Sequence, residues 1–319
     1  MPAGQPQPAP GRARIPVWRI AGSLLSLALL AYLVYEQGWD EFRQALSEVP
    51  LQSFLLALLL ILISRLFVTA RWHALLRTAG MQISFWQSLR LTFTGLFASN
   101  FLPSTVGGDL ARLAGAVYLQ MEAGLVTASL IVDRLIGMAG MALLLPVGLV
   151  ALVSQSAWLG GHLEAGIGLL SGLRWLWKKV GGFARSTLQS SIYWIRHPAG
   201  LGLGLLATGG HMLLTYLSVW VLLDGVGQPV SLLLIGGLWS LSYFVSLAPV
   251  SINGLGLQEV SIAYLYSHYA GVSMQGSLAL AVLLRVLFLL ASLPGALFLP
   301  GILNPARRKP GEENGGKLP

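Results

Sequence analysis

The sequence predicts an all-α polytopic membrane protein, and three observations carry that prediction. Of 319 residues, 55% are hydrophobic and 10% are charged, against roughly 25% charged in a soluble domain. From Gly225 to Ala306 the only formally charged residues are Glu259 and Arg285, in a run long enough for several membrane crossings. The basic residues gather at the ends of apolar runs, so the net charge of +8 reads as a topology signal rather than a nucleic-acid footprint. The chain has no cysteine, which excludes a disulfide framework, a thiolate metal site and a cysteine nucleophile.

Residues 1–16, rich in Pro, Gly and Ala, are expected to form a disordered cytoplasmic tail. Arg12, Arg14 and Arg19 then precede an apolar run from Ile20 to Tyr35. That run lacks the small-x-small ending of a cleaved signal peptide and is read as a first span. Hydropathy places further segments at Leu51 to Ala70, a broken pair at Phe85 to Leu102 and Ser104 to Leu119, and Gly124 to Val153. A weak segment at Ser156 to Trp177 and one at Ala199 to Leu223 follow. The last third adds Val230 to Leu247, Leu255 to Tyr269, and Gly276 to Pro300. One transmembrane domain over 17–300 results, followed by a basic cytoplasmic tail, 301–319.

Orientation follows from the basic residues of the connections. Placing 1–19, 65–90, 174–196 and 301–319 inside puts 16 of the 20 Lys and Arg there, and leaves only Arg43 outside. Both termini then face the cytoplasm. This arrangement requires the two broken pairs to enter and leave the membrane on the same side, as re-entrant hairpins of opposite direction. Full spans would alter the crossing count by an even number, so charge alone leaves that choice open. Length favours hairpins, because segments of about 15 residues are short of the roughly 20 that a span needs. About six full spans plus two hairpins are therefore expected. The segment 174–196, with Trp175, Trp177 and Trp194 among its basic residues, is expected to lie amphipathically on the cytoplasmic surface.

The hairpin tips resemble each other. Pro103-Ser-Thr-Val-Gly-Gly108 and Pro249-Val-Ser-Ile-Asn-Gly254 share Pro, a hydroxyl residue two later, a β-branched residue and a Gly five after the Pro. Each is preceded by an apolar helix and followed by a long span with an internal arginine, Arg134 or Arg285. Inverted repeats of span, hairpin and span build many transporters, with the substrate site where helices break near the midplane. The two halves would be 51–153 and 199–300. A half-helix starting in the membrane offers unpaired N–H groups and about half a positive charge, and glycine lets an anion approach that backbone. Ser104, Thr105 and Ser251 add hydroxyl donors. Asn100 and Asn253 are read as helix caps.

A central Arg or Asp costs about 2.5–3.5 kcal/mol to insert, so each needs a partner or a polar cavity. Asp109, Arg112, Asp133, Arg134, Glu259 and Arg285 all fall near the breaks. Expected pairings are Glu259 with Arg285, and Asp109 with Arg134 or Arg112. These groups either hold the hairpins as ion pairs or present arginine forks to a phosphodiester, and Arg112 is open to a third reading, snorkelling to the interface. Arg65, with Arg71 close behind, is expected to snorkel. His211, alone on an apolar helix, reads as packed, and His268 is placed in the outer loop.

Three stretches resemble the signatures of the lysylphosphatidylglycerol synthetase transmembrane, or flippase-like, family. They are Asn100-Phe-Leu-Pro-Ser-Thr-Val-Gly-Gly-Asp-Leu-Ala-Arg112, Val132-Asp-Arg-Leu-Ile-Gly137 and Pro249-Val-Ser-Ile-Asn-Gly-Leu-Gly-Leu-Gln-Glu259. The resemblance covers roughly residues 17–300. It departs at Ser251 and Asn253, where Thr and Gly are commoner. It implies translocation of an aminoacylated phospholipid, or of a hopanoid-related or polyprenyl lipid, in a bacterial cytoplasmic membrane. The aminoacyltransferase domain of synthesising members is not found after residue 300, so no synthetic activity is expected.

Together these readings predict a lipid transporter rather than an enzyme, with no cofactor, no metal and no nucleic acid. Its partner is a membrane lipid with an anionic, aminoacylated or polyprenyl-phosphate head group. A lipid-synthesis enzyme partner and a homo-oligomer are left open. The expected binding residues are Pro103, Ser104, Thr105, Gly107, Gly108, Asp109, Arg112, Asp133, Arg134, Ser251, Asn253, Gly254, Gly256, Glu259 and Arg285. The alternatives are a membrane enzyme using Asp109, Asp133 and Glu259 as acid and base, or an accessory subunit of a lipid-modifying pathway.

Overall fold

The computed structural model describes residues 39–102, 106–155, 194, 198–248 and 254–303, with several helical residues between 24 and 36. The terminal tails, the weak segment at 156–177, nearly all of 174–196 and most of the first span lie outside the described residues. So do the tip residues Pro103, Ser104, Thr105, Ser251 and Asn253.

The described elements are helical. They are α1 Trp39–Ser47, α2 Leu51–Thr78, α3 Phe85–Ser99, α4 Gly107–Tyr118, α5 Ala123–Gln155, α6 Pro198–Gly225, α7 Leu232–Ser246, α8 Leu257–Tyr269, α9 Met274–Ser292 and α10 Pro294–Leu303. Four stretches are long and apolar enough to cross a membrane: Leu51–Thr78, Ala123–Ser154, Gly200–Gly225 and Met274–Phe298. The half-helices α3, α4, α7 and α8, of 15, 12, 15 and 13 residues, are about 18–22 Å long, short of the roughly 30 Å hydrocarbon core. The chain is thus an all-α polytopic membrane protein.

Polarity is arranged for a lipid solvent. Large aliphatic side chains such as Leu143, Val150, Leu206 and Leu297 point outward, while hydroxyls of Ser64, Ser129, Thr208, Thr215 and Ser218 are buried. The buried hydroxyls close on carbonyls three or four residues back, as Ser64 Oγ does on Ile61 and Thr208 Oγ1 on Gly204. Each stays satisfied without water while letting helices approach closely.

The two halves repeat element by element. Ser84 and Ser231 cap α3 and α7, accepting from the amides of Gln87 and Leu234. Gly80 and Gly227, again 147 residues apart, turn the preceding chain with φ of 79° and 69°. The first spans of the halves, α2 and α6, lie side by side and antiparallel: Gly225 abuts Ser53, Gly210 abuts Phe67, Gly204 faces Arg71 and Gly200 abuts Thr78. Matching elements running in opposite directions make the repeat an inverted one. The halves also interlock. The end of α5 packs on α7, where a Cβ on Gly237 would stand 3.0 Å from the Gly148 Cα. In mirror fashion Gly295 of α10 packs against the Phe93 carbonyl of α3.

Three sequence expectations change. The segment 36–50, read as a loop, contains the amphipathic helix α1, whose Phe42 is buried with Ala263, Leu278 and Ala279. The last span divides at Pro294, because proline cannot donate into the preceding turn. The second span continues past Ala70 to Thr78, so Arg65 and Arg71 lie within the helix rather than in a loop after it.

Candidate functional site

The first half gathers five charges from three helices. Asp109 occupies the first turn of α4, and its carboxylate accepts from Arg134 Nε of α5. Arg112, one turn on, directs Nη1 to Asp109 Oδ1 at 3.4 Å and to Asp133 Oδ2 at 3.3 Å. Asp133 in turn holds Arg71 of α2, with Nε to Oδ1 at 2.7 Å. Arg71 Nη1 also donates to Thr208 on α6 at 3.3 Å. Three arginines face two aspartates, which leaves the cluster one positive charge in excess.

Buried aromatic and small residues fix this arrangement. The Arg112 guanidinium lies 4.0 Å above the Trp72 ring, a cation–π contact strengthened by low dielectric. The Trp72 indole is itself held by Ser129 Oγ at 3.0 Å. A Cβ on Gly95 would come within 2.6 Å of Arg112 Cγ and 2.7 Å of the Gly108 carbonyl. Gly95 and Gly108 therefore let the arms of the hairpin meet backbone to backbone. Gly107 lies against Leu102. Both glycines expected to admit an anion are thus occupied by packing.

The second half holds a smaller version. Glu259 sits in the first turn of α8, the position of Asp109 in α4. It pairs with Arg285 of α9, Nε to Oε1 at 3.3 Å, as Asp109 pairs with Arg134. The partner arginine follows its carboxylate by 25 residues in one half and 26 in the other. Gly254 and Gly256 carry φ of 71° and 78°, conformations that a side chain disfavours. Each half-helix end is therefore not bare, as the sequence suggested, but compensated by its own carboxylate. The capacity to attract an anion rests with the arginines.

Exposure separates two classes of arginine. The side chains of Arg134 and Arg285 are 35% and 25% exposed, whereas those of Arg71 and Arg112 are 9% and 8% exposed. The former reach the surface of the bundle, and the latter are braced inside it. The Nε and Nη2 of Arg112 and Oε2 of Glu259 are buried without hydrogen-bond partners among the described residues. No group of three or more His, Asp or Glu among the described residues is placed to hold a metal ion.

With this geometry in hand, the family model described as the lysylphosphatidylglycerol synthase TM region matches residues 19–295. The chain belongs to that family. The chain is also 28% identical over 124 residues to a UPF0104 membrane protein of Methanocaldococcus jannaschii, a match covering 38% of this chain and 35% of that protein. The protein is thus a multi-pass membrane protein of a lipid-associated family.

Of the residues expected from sequence, Asp109, Arg112, Asp133 and Arg134 come together, as do Glu259 and Arg285. The anticipated pairings Asp109–Arg134 and Glu259–Arg285 both form, and Arg112 is buried rather than snorkelling. Arg71, counted in the cytoplasmic segment 65–90, is a member of the cluster instead. A sequence signal for it existed: nothing between Ala70 and Gly80 breaks the helix, so Arg71 and Trp72 had to lie within it. Asn100 ends α3 as expected of a cap and also donates to Ser292 Oγ at 2.8 Å, tying the hairpin to α9. His268 closes α8, stacked on Tyr264, rather than lying in a loop. Trp194 is buried and its indole donates to the Leu75 carbonyl at 3.0 Å.

Proposed function

We propose that this protein moves a lipid between the leaflets of a bacterial cytoplasmic membrane, with both termini in the cytoplasm. The head group, anionic, aminoacylated or polyprenyl-phosphate, is held at the broken helices and is not chemically altered. One observation carries this reading: in each of two inversely related halves, a carboxylate in the first turn of a half-helix anchors a partly exposed arginine of the following span, Arg134 or Arg285. A guanidinium whose orientation is already fixed gives up little freedom when it meets a phosphodiester.

Anchoring of Arg285 through its Nε alone leaves the end of that guanidinium fork for a second anion. The surplus positive charge of the inner cluster supports binding of a negative head group from the cytoplasmic side. Arg285, neutralised one-to-one by Glu259, gives a weaker hold on the outer side, which suits release.

The purified protein, reconstituted in vesicles with fluorescent phosphatidylglycerol, an aminoacylated phosphatidylglycerol or a polyprenyl phosphate, tests this. The expected result is rapid loss of inner-leaflet protection from a membrane-impermeant quencher for one of the lipids, with that lipid recovered unchanged on chromatography. Chemical conversion of the lipid by the protein alone, without movement, would refute it.

A further inference from the structure

The first hairpin arm and the last helix share an exposed edge that neither charge cluster includes. Gly295 of α10 packs against the Phe93 carbonyl and the Phe97 side chain of α3, so α10 lies along that arm. Beside this seam Phe85, Trp86, Leu293 and Leu297 are exposed, Leu297 by 80%. In a protein that spans a membrane, an apolar edge of this kind is a surface for lipid.

One cation stands on it. Arg90 is the only formally charged residue of α3 and α10 together. It is exposed, and no hydrogen bond or ion pair with a described residue engages its guanidinium. Its guanidinium carbon lies 5.4 Å from the centroid of the Phe298 ring of α10. Trp86, one turn earlier on α3, stands edge-on to the same ring at 5.8 Å. An arginine that merely snorkels keeps a free side chain. This one is laid on an aromatic face, which orients the guanidinium and leaves its in-plane N–H groups for an acceptor that the described residues do not supply.

The surroundings select the sign of the ligand. A guanidinium fork suits the oxygens of a phosphate. With no carboxylate on either helix, nothing on this edge serves the cationic end of a zwitterionic head group, and Arg90 repels it. The first charged residues after α10 add to that bias, being Arg307, Arg308 and Lys309, since basic runs beside a membrane helix attract anionic lipid.

We propose that Arg90, with Trp86 and Phe298, forms a docking site on the exposed edge of α3 and α10 for the phosphate of an anionic phospholipid. The site uses none of the residues assigned to lipid movement, so the two readings fail separately.

The test uses the full chain with one cysteine, Leu297→Cys, carrying a trifluoroethyl label next to Phe298. In nonionic detergent its fluorine resonance is followed as dihexanoyl phosphatidylglycerol or dihexanoyl phosphatidylcholine is added. The expected result is a saturable shift whose midpoint for phosphatidylglycerol is about fivefold lower than for phosphatidylcholine, the worth of one basic residue at an anionic surface. Arg90→Gln is expected to abolish that difference, while Arg134→Gln combined with Arg285→Gln leaves it in place. The site is overturned by the absence of a saturable shift or by equal midpoints for the two lipids. A difference that survives Arg90→Gln, or that disappears with the other two arginines, overturns it as well. Should Arg90→Gln not fold, Phe298→Leu removes the ring beneath the guanidinium. A smaller difference then supports the site, and an unchanged one overturns it.

Discussion

Replacing Asp133 by alanine isolates the bracing function of the charge cluster. Its carboxylate holds Arg71 at 2.7 Å and Arg112 at 3.3 Å, and the carboxylate is itself 4% exposed. Among the described residues, removal leaves Arg71 with the Thr208 hydroxyl, and Arg112 with the 3.4 Å contact to Asp109 and the Trp72 ring. Breaking one partner out of a buried pair costs about 3–5 kcal/mol, because the remaining charge stays desolvated. At roughly 2–4 °C per kcal/mol, Asp133→Ala lowers the melting temperature in detergent by about 6–20 °C. Thermal denaturation followed by size-exclusion chromatography reads this directly. Adding Arg71→Met to Asp133→Ala recovers part of the loss, with a coupling of about 1–3 kcal/mol. A melting temperature within 2 °C of wild type by the melting-scale arithmetic above (~0.5–1 kcal/mol) would refute the bracing role. Asp133 would then belong with the groups that meet the ligand.

Two further substitutions probe the geometry. Gly95→Ala places a methyl carbon 2.6 Å from Arg112 Cγ and 2.7 Å from the Gly108 carbonyl. Forcing the hairpin arms apart costs about 1–3 kcal/mol, and a variant as stable as wild type in the same melting assay counts against the backbone contact. Because the chain has no cysteine, paired cysteines report proximity without background. Ser53→Cys with Gly225→Cys, and Thr78→Cys with Gly200→Cys, are each expected to cross-link under mild oxidation, one pair at either end of α2 and α6. Cross-linking between Ser53→Cys and Gly200→Cys instead would mean that the two helices run parallel and that the repeat is not inverted.

Much of the fold was legible because the membrane reduces the alternatives. Long apolar runs must be helices, and runs too short to cross must turn back, so Phe85 to Leu102 and Leu255 to Tyr269 were recognisable as hairpin arms. Carboxylates and arginines in apolar sequence need partners, which made Asp109–Arg134 and Glu259–Arg285 readable. Other features depended on facts that counting does not contain. Arg71 was assigned to a loop because basic residues there satisfy the charge rule equally well, and only the continuity of α2 moves it inside. The glycines at 107 and 108 matched an anion-admitting tip, yet the close approach of α3 and α4 had already taken their open faces. Arg65, read as lying near the end of a span, stands 13 residues before the end of its helix. The helix α1 escaped notice because its apolar face is short and interrupted by Asp40, Glu41 and Arg43.

Lipid movement is proposed to depend on the partly exposed arginines that the half-helix carboxylates of the two halves anchor, Arg134 and Arg285. The transbilayer rate of the active lipid, measured for Arg134→Gln and Arg285→Gln beside the wild-type protein in matched vesicles, tests that most directly. Both variants are expected to remain folded, Arg285→Gln with a lowered melting temperature because the Glu259 carboxylate, 7% exposed, loses its charge partner, and to move lipid at least ten times more slowly. Wild-type rates in both folded variants would contradict the account.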